Sequence, residues 1–181
     1  MLAPALYILL LLIELFFAFS VFVYIVSLLY SSFKGAPYVP TKKDSALELL
    51  EHARLQKGQK ILELGCGDGR VIRTAVETFK MKGVGIDINR LLIWIARFKH
   101  RKFKRDLSFK TANVFKTPLS GYNVIYLFLM PEMLVKLKEK FTKECKRGTL
   151  IISHGFKIDG WDGKINHTLV RKPFPTYYYR V

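Results

Sequence analysis

A chain of 181 residues has the length of one domain with an appendage, and half of it is apolar, more than a soluble domain needs. Its formal charge of +16 favours anionic partners (lipid headgroups, nucleic acid, acidic protein) and says nothing about fold. Two cysteines, Cys66 and Cys145, exclude a disulfide framework and a cysteine-built metal site, and suit a reducing compartment with Cys145 buried and inert. None of the four histidines has metal-ligand company, so no metal is expected.

The apolar excess is concentrated at the N-terminus. From Ala5 to Leu29, 25 residues, only Glu14, Ser20 and Ser27 are strongly polar, and about 20 residues span a bilayer's hydrocarbon core. A secretory signal would have a basic start, a shorter apolar run and a small-residue cleavage site. Residues 1–30 therefore read as a retained transmembrane helix. No Lys or Arg precedes it, whereas Lys34, Lys42 and Lys43 follow. The positive-inside rule puts the N-terminus outside and the rest of the chain in the cytoplasm. Glu14 reads as a tolerated or protonated acid ahead of a contact for a partner helix. Residues 31–40, with Gly35, Pro37 and Pro40, form a linker, and residues 41–181 form one domain.

Beyond the linker, helix and strand patterns alternate. Ser45 and Glu48 have capping-box spacing and lead a helical face of Ala46, Leu49, Leu50 and Ala53, with Gly58 as its stop. Lys60 to Leu64 is a short apolar strand entering a glycine cluster. Val71, Ile72, Ala75, Val76 and Phe79 make the next helical stripe. Val84 to Ile88 is a second strand, and Asn89 caps a helix carrying Leu92, Ile95 and Ala96. Leu107 to Ala112 is a weaker strand, and Asn123 to Leu129 one too apolar to face water. Pro131 suits the first turn of a helix with Leu134, Leu137, Phe141 and Cys145 inside, ended by Gly148. Thr149 to Ser153 is a fifth strand, and two more, Ile165 to Val170 and Thr176 to Val181, close the chain. This order predicts an α/β fold with a doubly wound, Rossmann-like parallel sheet, ending in an antiparallel edge hairpin.

The chemistry is concentrated in Glu63-Leu64-Gly65-Cys66-Gly67-Asp68-Gly69-Arg70. Glycines between a buried strand and a helix let backbone approach a ligand and expose the helix N-terminus. A dinucleotide fingerprint counted from Gly65 places its third glycine at position 70, where this chain has arginine; the glycine is at 69 instead. Glu63 beside a pyrophosphate is also unfavourable. S-adenosylmethionine (AdoMet) carries no phosphate but a sulfonium and an amino group, which a nearby acid favours, so the turn points to AdoMet over NAD. Asp87, 22 residues after Gly65, stands where an acid accepts both ribose hydroxyls; a helix cap is its competing role. At the end of strand three, Asn113 is placed to accept the adenine amino group, or is an ordinary loop residue.

These features resemble the class I, seven-stranded AdoMet-dependent methyltransferases over about Thr41 to Val181. The resemblance implies sheet order 3-2-1-4-5-7-6 with the last strand antiparallel, and AdoMet over the ends of strands one and two. It implies that Glu63, Gly65, Cys66, Gly67 and Gly69 belong to the first cofactor motif and Asp87 to the second. Tyr38-Val39-Pro40-Thr41, Asn89 to Trp94, and Met130-Pro131-Glu132-Met133 are similar to the membrane-anchored protein lysine methyltransferases that modify the ATP synthase c-subunit and the adenine nucleotide translocase. Asn113 departs from the Asp usual there. Glu132, just after strand four, is the candidate for binding the incoming amine, against a helix-dipole role, and Tyr38 lines the pocket entrance or packs in the linker.

Of the nine residues Arg97 to Arg105, six are Lys or Arg, interleaved with Phe98 and Phe103. On a tethered protein such a run favours anionic headgroups, with nucleic acid and a solvated face as alternatives. The base-methylating Asn/Asp-Pro-Pro-aromatic run is replaced by Leu129-Met130-Pro131-Glu132, which disfavours nucleic acid as acceptor. The leading reading is an enzyme methylating lysine on membrane or membrane-associated proteins. A lipid-headgroup or small-molecule methyltransferase comes next, then a non-catalytic AdoMet- or lipid-binding scaffold.

Overall fold

A computed structural model of the protein describes residues 2–34 and 38–181. Helix α1 (Leu2–Lys34) is continuous. No glycine or proline interrupts it after Pro4, which the first turn of a helix tolerates. Its stretch Pro4–Phe33, 30 residues, is long and apolar enough to cross a membrane. The helix runs past residue 30, so Ser31 to Lys34, expected in the linker, complete its last turn. Gly35 and Pro37, on which the linker reading rested, lie outside the described residues.

The remainder is a seven-stranded sheet of order β3-β2-β1-β4-β5-β7-β6. Strands β1 (Lys60–Leu64), β2 (Lys82–Asp87), β3 (Leu107–Thr111), β4 (Val124–Leu127) and β5 (Leu150–His154) are parallel. Strand β7 (Thr176–Arg180) is inserted antiparallel between β5 and β6 (Ile165–Leu169). The expected topology and edge hairpin are both present.

Strand residues alternate between two buried faces. In register, Leu62, Ile125, Ile151 and Tyr179 form a row facing α5 (Pro131–Glu144), which covers it with Leu134, Leu137 and Phe141. The next row, Glu63, Tyr126, Ile152 and Tyr178, faces the opposite way. That side is covered by α2 (Lys43–Glu51), α3 (Arg70–Phe79) and α4 (Arg90–Lys99) through residues such as Leu49, Ile72 and Ala96. With both faces covered, the central strands are apolar throughout, as parallel sheets require. Glu63 is the one acid in these rows.

Three local expectations are corrected. Helix α2 begins at Lys43 after an uncapped Lys42, and Ser45 lies inside it, so no capping box forms. The Glu48 carboxylate pairs instead with Arg171. This helix ends at Glu51, well before Gly58, whose N–H bonds Lys80 O at 3.0 Å in the turn into β1. Helix α5 ends at Glu144 with Cys145 extended, so Gly148 shapes the later turn into β5.

The end of β5 carries a buried titratable group. His154 is 8% exposed, its Nδ1 lies 2.8 Å from Thr176 Oγ1, and its ring meets Phe128 edge-on at 4.7 Å. Burial, aided by the Arg171 charge, lowers its pKa from the ordinary 6.5 to about 4. The unfolded chain therefore binds a proton in that window that the folded chain does not, and stability falls as pH drops from 6.5 towards 4. His154→Gln, which does not titrate, should flatten the dependence of the thermal midpoint on pH in this window; an unchanged slope would assign the acid sensitivity to other groups.

Candidate active site

At the C-terminal ends of β1, β2 and β4 the chain leaves the sheet in turns that surround a cavity of about 400 Å³. This is the crevice where an open α/β sheet binds ligands, because the strand order reverses there: β2 lies on one side of β1 and β4 on the other. The volume falls in the range usual for small-molecule sites, about 300–1,000 Å³.

The floor is the turn between β1 and α3, where Gly65, Gly67 and Gly69 all have positive φ. Gly67 is the constrained position. Its φ is +52°, and a Cβ there would lie 2.6 Å from a Tyr38 ring carbon. The Tyr38 ring thus lies directly over the turn. Gly69 does not line the cavity; it precedes α3, where a Cβ would strike Phe109 at 2.4 Å, so its absence of side chain closes α3 onto β3.

Asp87 ends β2 and holds the turn in place. Its Oδ2 accepts the Gly67 N–H at 2.8 Å and its Oδ1 the Asn89 N–H at 2.8 Å. The Ile88 N–H also reaches this carboxylate, so about one acceptor position is left clear. Burial raises its pKa against those amide bonds. The helix cap itself is Asn89, whose Oδ1 accepts from Leu91 N and Leu92 N. Glu63 is 4% exposed; its Oε2 accepts the Ile72 N–H at 2.9 Å, and burial pushes its pKa well up. Burial also pushes up the Cys66 thiol, which is inert packing at the cavity wall. Asp68 behaves oppositely. Burial favours its neutral form, but hydrogen bonds from Lys99 (2.9 Å) and Arg70 (3.0 Å) outweigh it and hold the carboxyl below the usual range.

Most residues picked out in the sequence meet here: Tyr38, Glu63, Gly65, Cys66, Gly67, Asp87 and Asn113 all line the cavity. Asn113 is already engaged, since its Oδ1 accepts the Phe115 N–H at 2.9 Å. Glu132 is not brought in. It is exposed in the first turn of α5, outside the lining, where its charge suits the helix dipole.

Other lining residues were not singled out as site residues in the sequence. Tyr126, beside Glu63 in the register, is fully buried; its hydroxyl faces the Thr41 side chain but makes no hydrogen bond of good geometry among the described residues. An unpaired buried hydroxyl costs about 1–3 kcal/mol, so this atom fits a polar group of a ligand. Phe128, Met130, Met133, Phe156 and Phe174 form an apolar wall. Phe128 and Phe174 meet edge-on at 5.1 Å. Aromatics at the end of β4 were findable as residues at a strand's C-terminal end; Phe156 and Phe174 arrive from distant loops. The acids of the lining, Glu63, Asp68 and Asp87, all belong to the opposite, β1–β2 side. The cavity is therefore divided: polar beside the turn, where three carboxyl groups and the Asp68-paired Arg70 lie, and apolar and aromatic beyond β4. A sulfonium and a ribose suit the first half.

Comparison with known proteins agrees with this geometry. The family model described as ANTKMT methyltransferase domain matches residues 63–164. A protein-lysine N-methyltransferase of Saccharolobus islandicus (strain REY15A) is 36% identical over 145 residues, covering 74% of this chain and 90% of that protein. The ATP synthase c-subunit lysine N-methyltransferase of Xenopus laevis is 29% identical over 128 residues, covering 69% of this chain. This chain spans about half of that relative, 55%. Among solved structures, an RNA methyltransferase from Salinibacter ruber with bound S-adenosyl-L-homocysteine superposes with a TM-score of 0.75 at 28% identity. The match covers 79% of this chain and 94% of that one.

Gly67→Ala should destabilise the domain on two counts, about 1–2 kcal/mol for the left-handed backbone and a further amount for the clash with Tyr38. Adding Tyr38→Ala should recover only the second part. Thermal unfolding of the single and double variants measures this; a double variant no better than Gly67→Ala would mean that Tyr38 does not press on the turn.

Proposed function

Since this chain belongs to the ANTKMT methyltransferase domain family and is an AdoMet-dependent methyltransferase, we propose that it methylates lysine side chains of membrane or membrane-associated proteins. The division of the cavity carries this reading: three acids on the cofactor side and an apolar, aromatic wall on the other. On the proposed assignment, the Asp87 carboxylate accepts from the ribose, and Asn113 reaches the adenine. Glu63 and the Tyr126 hydroxyl lie towards the methionyl end, because β4 is on the far side of β1 from Asp87.

AdoMet supplies an already activated methyl group, so the protein's task is to present a neutral nucleophile in line with it. A lysine ammonium, with an ordinary pKa of about 10.4, must lose its proton first. The wall of Phe128, Met130, Met133, Phe156 and Phe174 disfavours the charged form by desolvation and so promotes that loss. Aromatic faces also attract a cation as it approaches. Glu132, outside the cavity, is not needed for either step. Tyr38, folded over Gly67, excludes water from the cofactor side.

The proposed location follows from α1. At about 1.5 Å per residue the apolar stretch is about 45 Å long, against about 30 Å of hydrocarbon. Its excess would lie at the cytoplasmic surface, where the domain sits. Of the basic run, Arg97 bonds Phe109 O (2.7 Å) and Lys99 bonds Asp68 (2.9 Å), so these two serve the fold. Arg101, Lys102, Lys104 and Arg105 are exposed, near the exposed and stacked Trp94 and Phe98. Exposed aromatics beside cations suit a headgroup layer, which supports anionic lipid as the surface this face meets.

Transfer of radiolabelled methyl from AdoMet into host membranes, fractionated into protein, lipid and RNA, tests the substrate. Methyl-lysine in the protein fraction supports the proposal; label confined to lipid or RNA replaces the acceptor, and no label at all leaves a scaffold. Asp87→Asn should abolish both AdoMet binding and label transfer without unfolding the domain. The full chain should also stay in the membrane pellet after alkaline carbonate extraction; release into the supernatant would remove the tether.

A further inference from the structure

Helix α1 is apolar and exposed along most of its length, from Leu6 to Val26. It meets the domain in its last turns, through polar atoms. Four serines lie in it, at positions 20, 27, 31 and 32. A helical serine ordinarily returns its hydroxyl to the carbonyl four residues back, and Ser20, Ser31 and Ser32 do so. Ser27 does not. Its Oγ donates to Asn89 Oδ1 at 2.8 Å. Asn89 answers with both amide hydrogens: Nδ2 donates to Ser27 O and to Ser31 Oγ, each at 2.8 Å. Ser27 and Ser31, four apart, share one helix face.

Asn89 is 2% exposed and has no donor left unused. Its side-chain oxygen also caps α4, and its backbone N–H donates to Asp87 Oδ1. Asp87 Oδ2 in turn accepts from Gly67. An unbroken series of hydrogen bonds thus runs from Ser27 and Ser31 through Asn89 and Asp87 to the glycine turn. Tyr30 and Ser31 themselves line the cavity.

We propose that the last turns of α1 are part of the cofactor site, and that Asn89, held by Ser27 and Ser31, is a positioning residue that fixes the Asp87 carboxylate for the ribose. The inference rests on the assignment of Asp87 to the ribose. A seated α1 pins the Asn89 side chain by two donors and one acceptor. An unseated α1 removes the partners of both amide hydrogens and one of the three donors on Oδ1, so only the α4 cap holds the side chain and the backbone N–H that Asp87 uses is less firmly placed. Cofactor affinity is then a readout of whether the helix is docked.

The test is calorimetric binding of S-adenosylhomocysteine to the full chain in detergent micelles. Ser27→Ala with Ser31→Ala should weaken binding about fivefold or more, the loss of one to two net hydrogen bonds, with the domain still folded and unfolding cooperatively. Ser27→Thr with Ser31→Thr, which keeps both hydroxyls, should return the affinity to within about twofold. Asn89→Ser keeps a capping oxygen for α4 but removes both amide donors. It also loses the bond to the Ser27 carbonyl, so it should cost at least as much as the serine pair, and combining the two should cost no more than Asn89→Ser alone. Wild-type affinity in the serine-to-alanine pair, or additive losses in the combination, overturns the coupling. Asp87→Asn separates the two ideas: if it binds like wild type, the ribose assignment itself fails, whereas loss of binding there with wild-type affinity in the serine-to-alanine pair overturns only the role of α1.

Discussion

The hydrogen bond from the Gly67 amide to the Asp87 carboxylate ties the site together. It joins the turn after β1 to the end of β2, the two segments that a parallel sheet brings side by side. Without it, the glycine turn is a loop of high backbone entropy and Asp87 an acid at a strand end. With it, backbone amide and carboxylate hold each other, and the Tyr38 ring, Asn89 and α3 are all placed against the same few atoms. Burial makes this costly, and the acids answer in different ways. Asp68 stays charged against Lys99 and Arg70, while burial pushes Glu63 and Asp87 towards neutrality, each offset in part by backbone N–H donors.

Around that tie, the division of the cavity follows from topology. Every acid in the lining comes from the end of β1, the turn after it or the end of β2, and the apolar wall comes from beyond β4, the loop after β5 and the loop before β7. A positively charged methyl donor and an acceptor that must give up its charge have opposite needs. The strand-order reversal between β2, β1 and β4 separates the two environments by the width of one strand.

The N-terminal helix is joined to this arrangement at one small polar patch. Two serines in an otherwise apolar helix fit Asn89, an amide with no unused donor. A helix that only anchors needs no such contact. Its basic neighbour on the surface is likewise partly internal, since Arg97 and Lys99 of the run are used to hold β3 and Asp68.

Much of this was legible in the linear chain. Strand and helix order, and with it the sheet order, followed from periodicity and a family likeness, because buried parallel strands and amphipathic helices leave repeating apolar patterns. The Asn89 cap and the Pro131 start were readable because caps are local chemistry. The glycine turn and Asp87 were legible for the same reason: they are short-range features. Local signals misled where a distant partner competed. Glu48 looked like a capping acid and pairs with Arg171, 123 residues away. Glu132, adjacent in sequence to the end of β4, is exposed and outside the cavity lining, while Phe174 from near the C-terminus belongs to it. The amino-acid order by itself determined the elements, the glycine turn and the apolar helix, since each depends on residues within a few positions of one another. Only the tertiary structure decided which side chains share the cavity and that α1 reaches it, because contacts such as Ser27 with Asn89, 62 residues apart, leave no periodic trace in the chain.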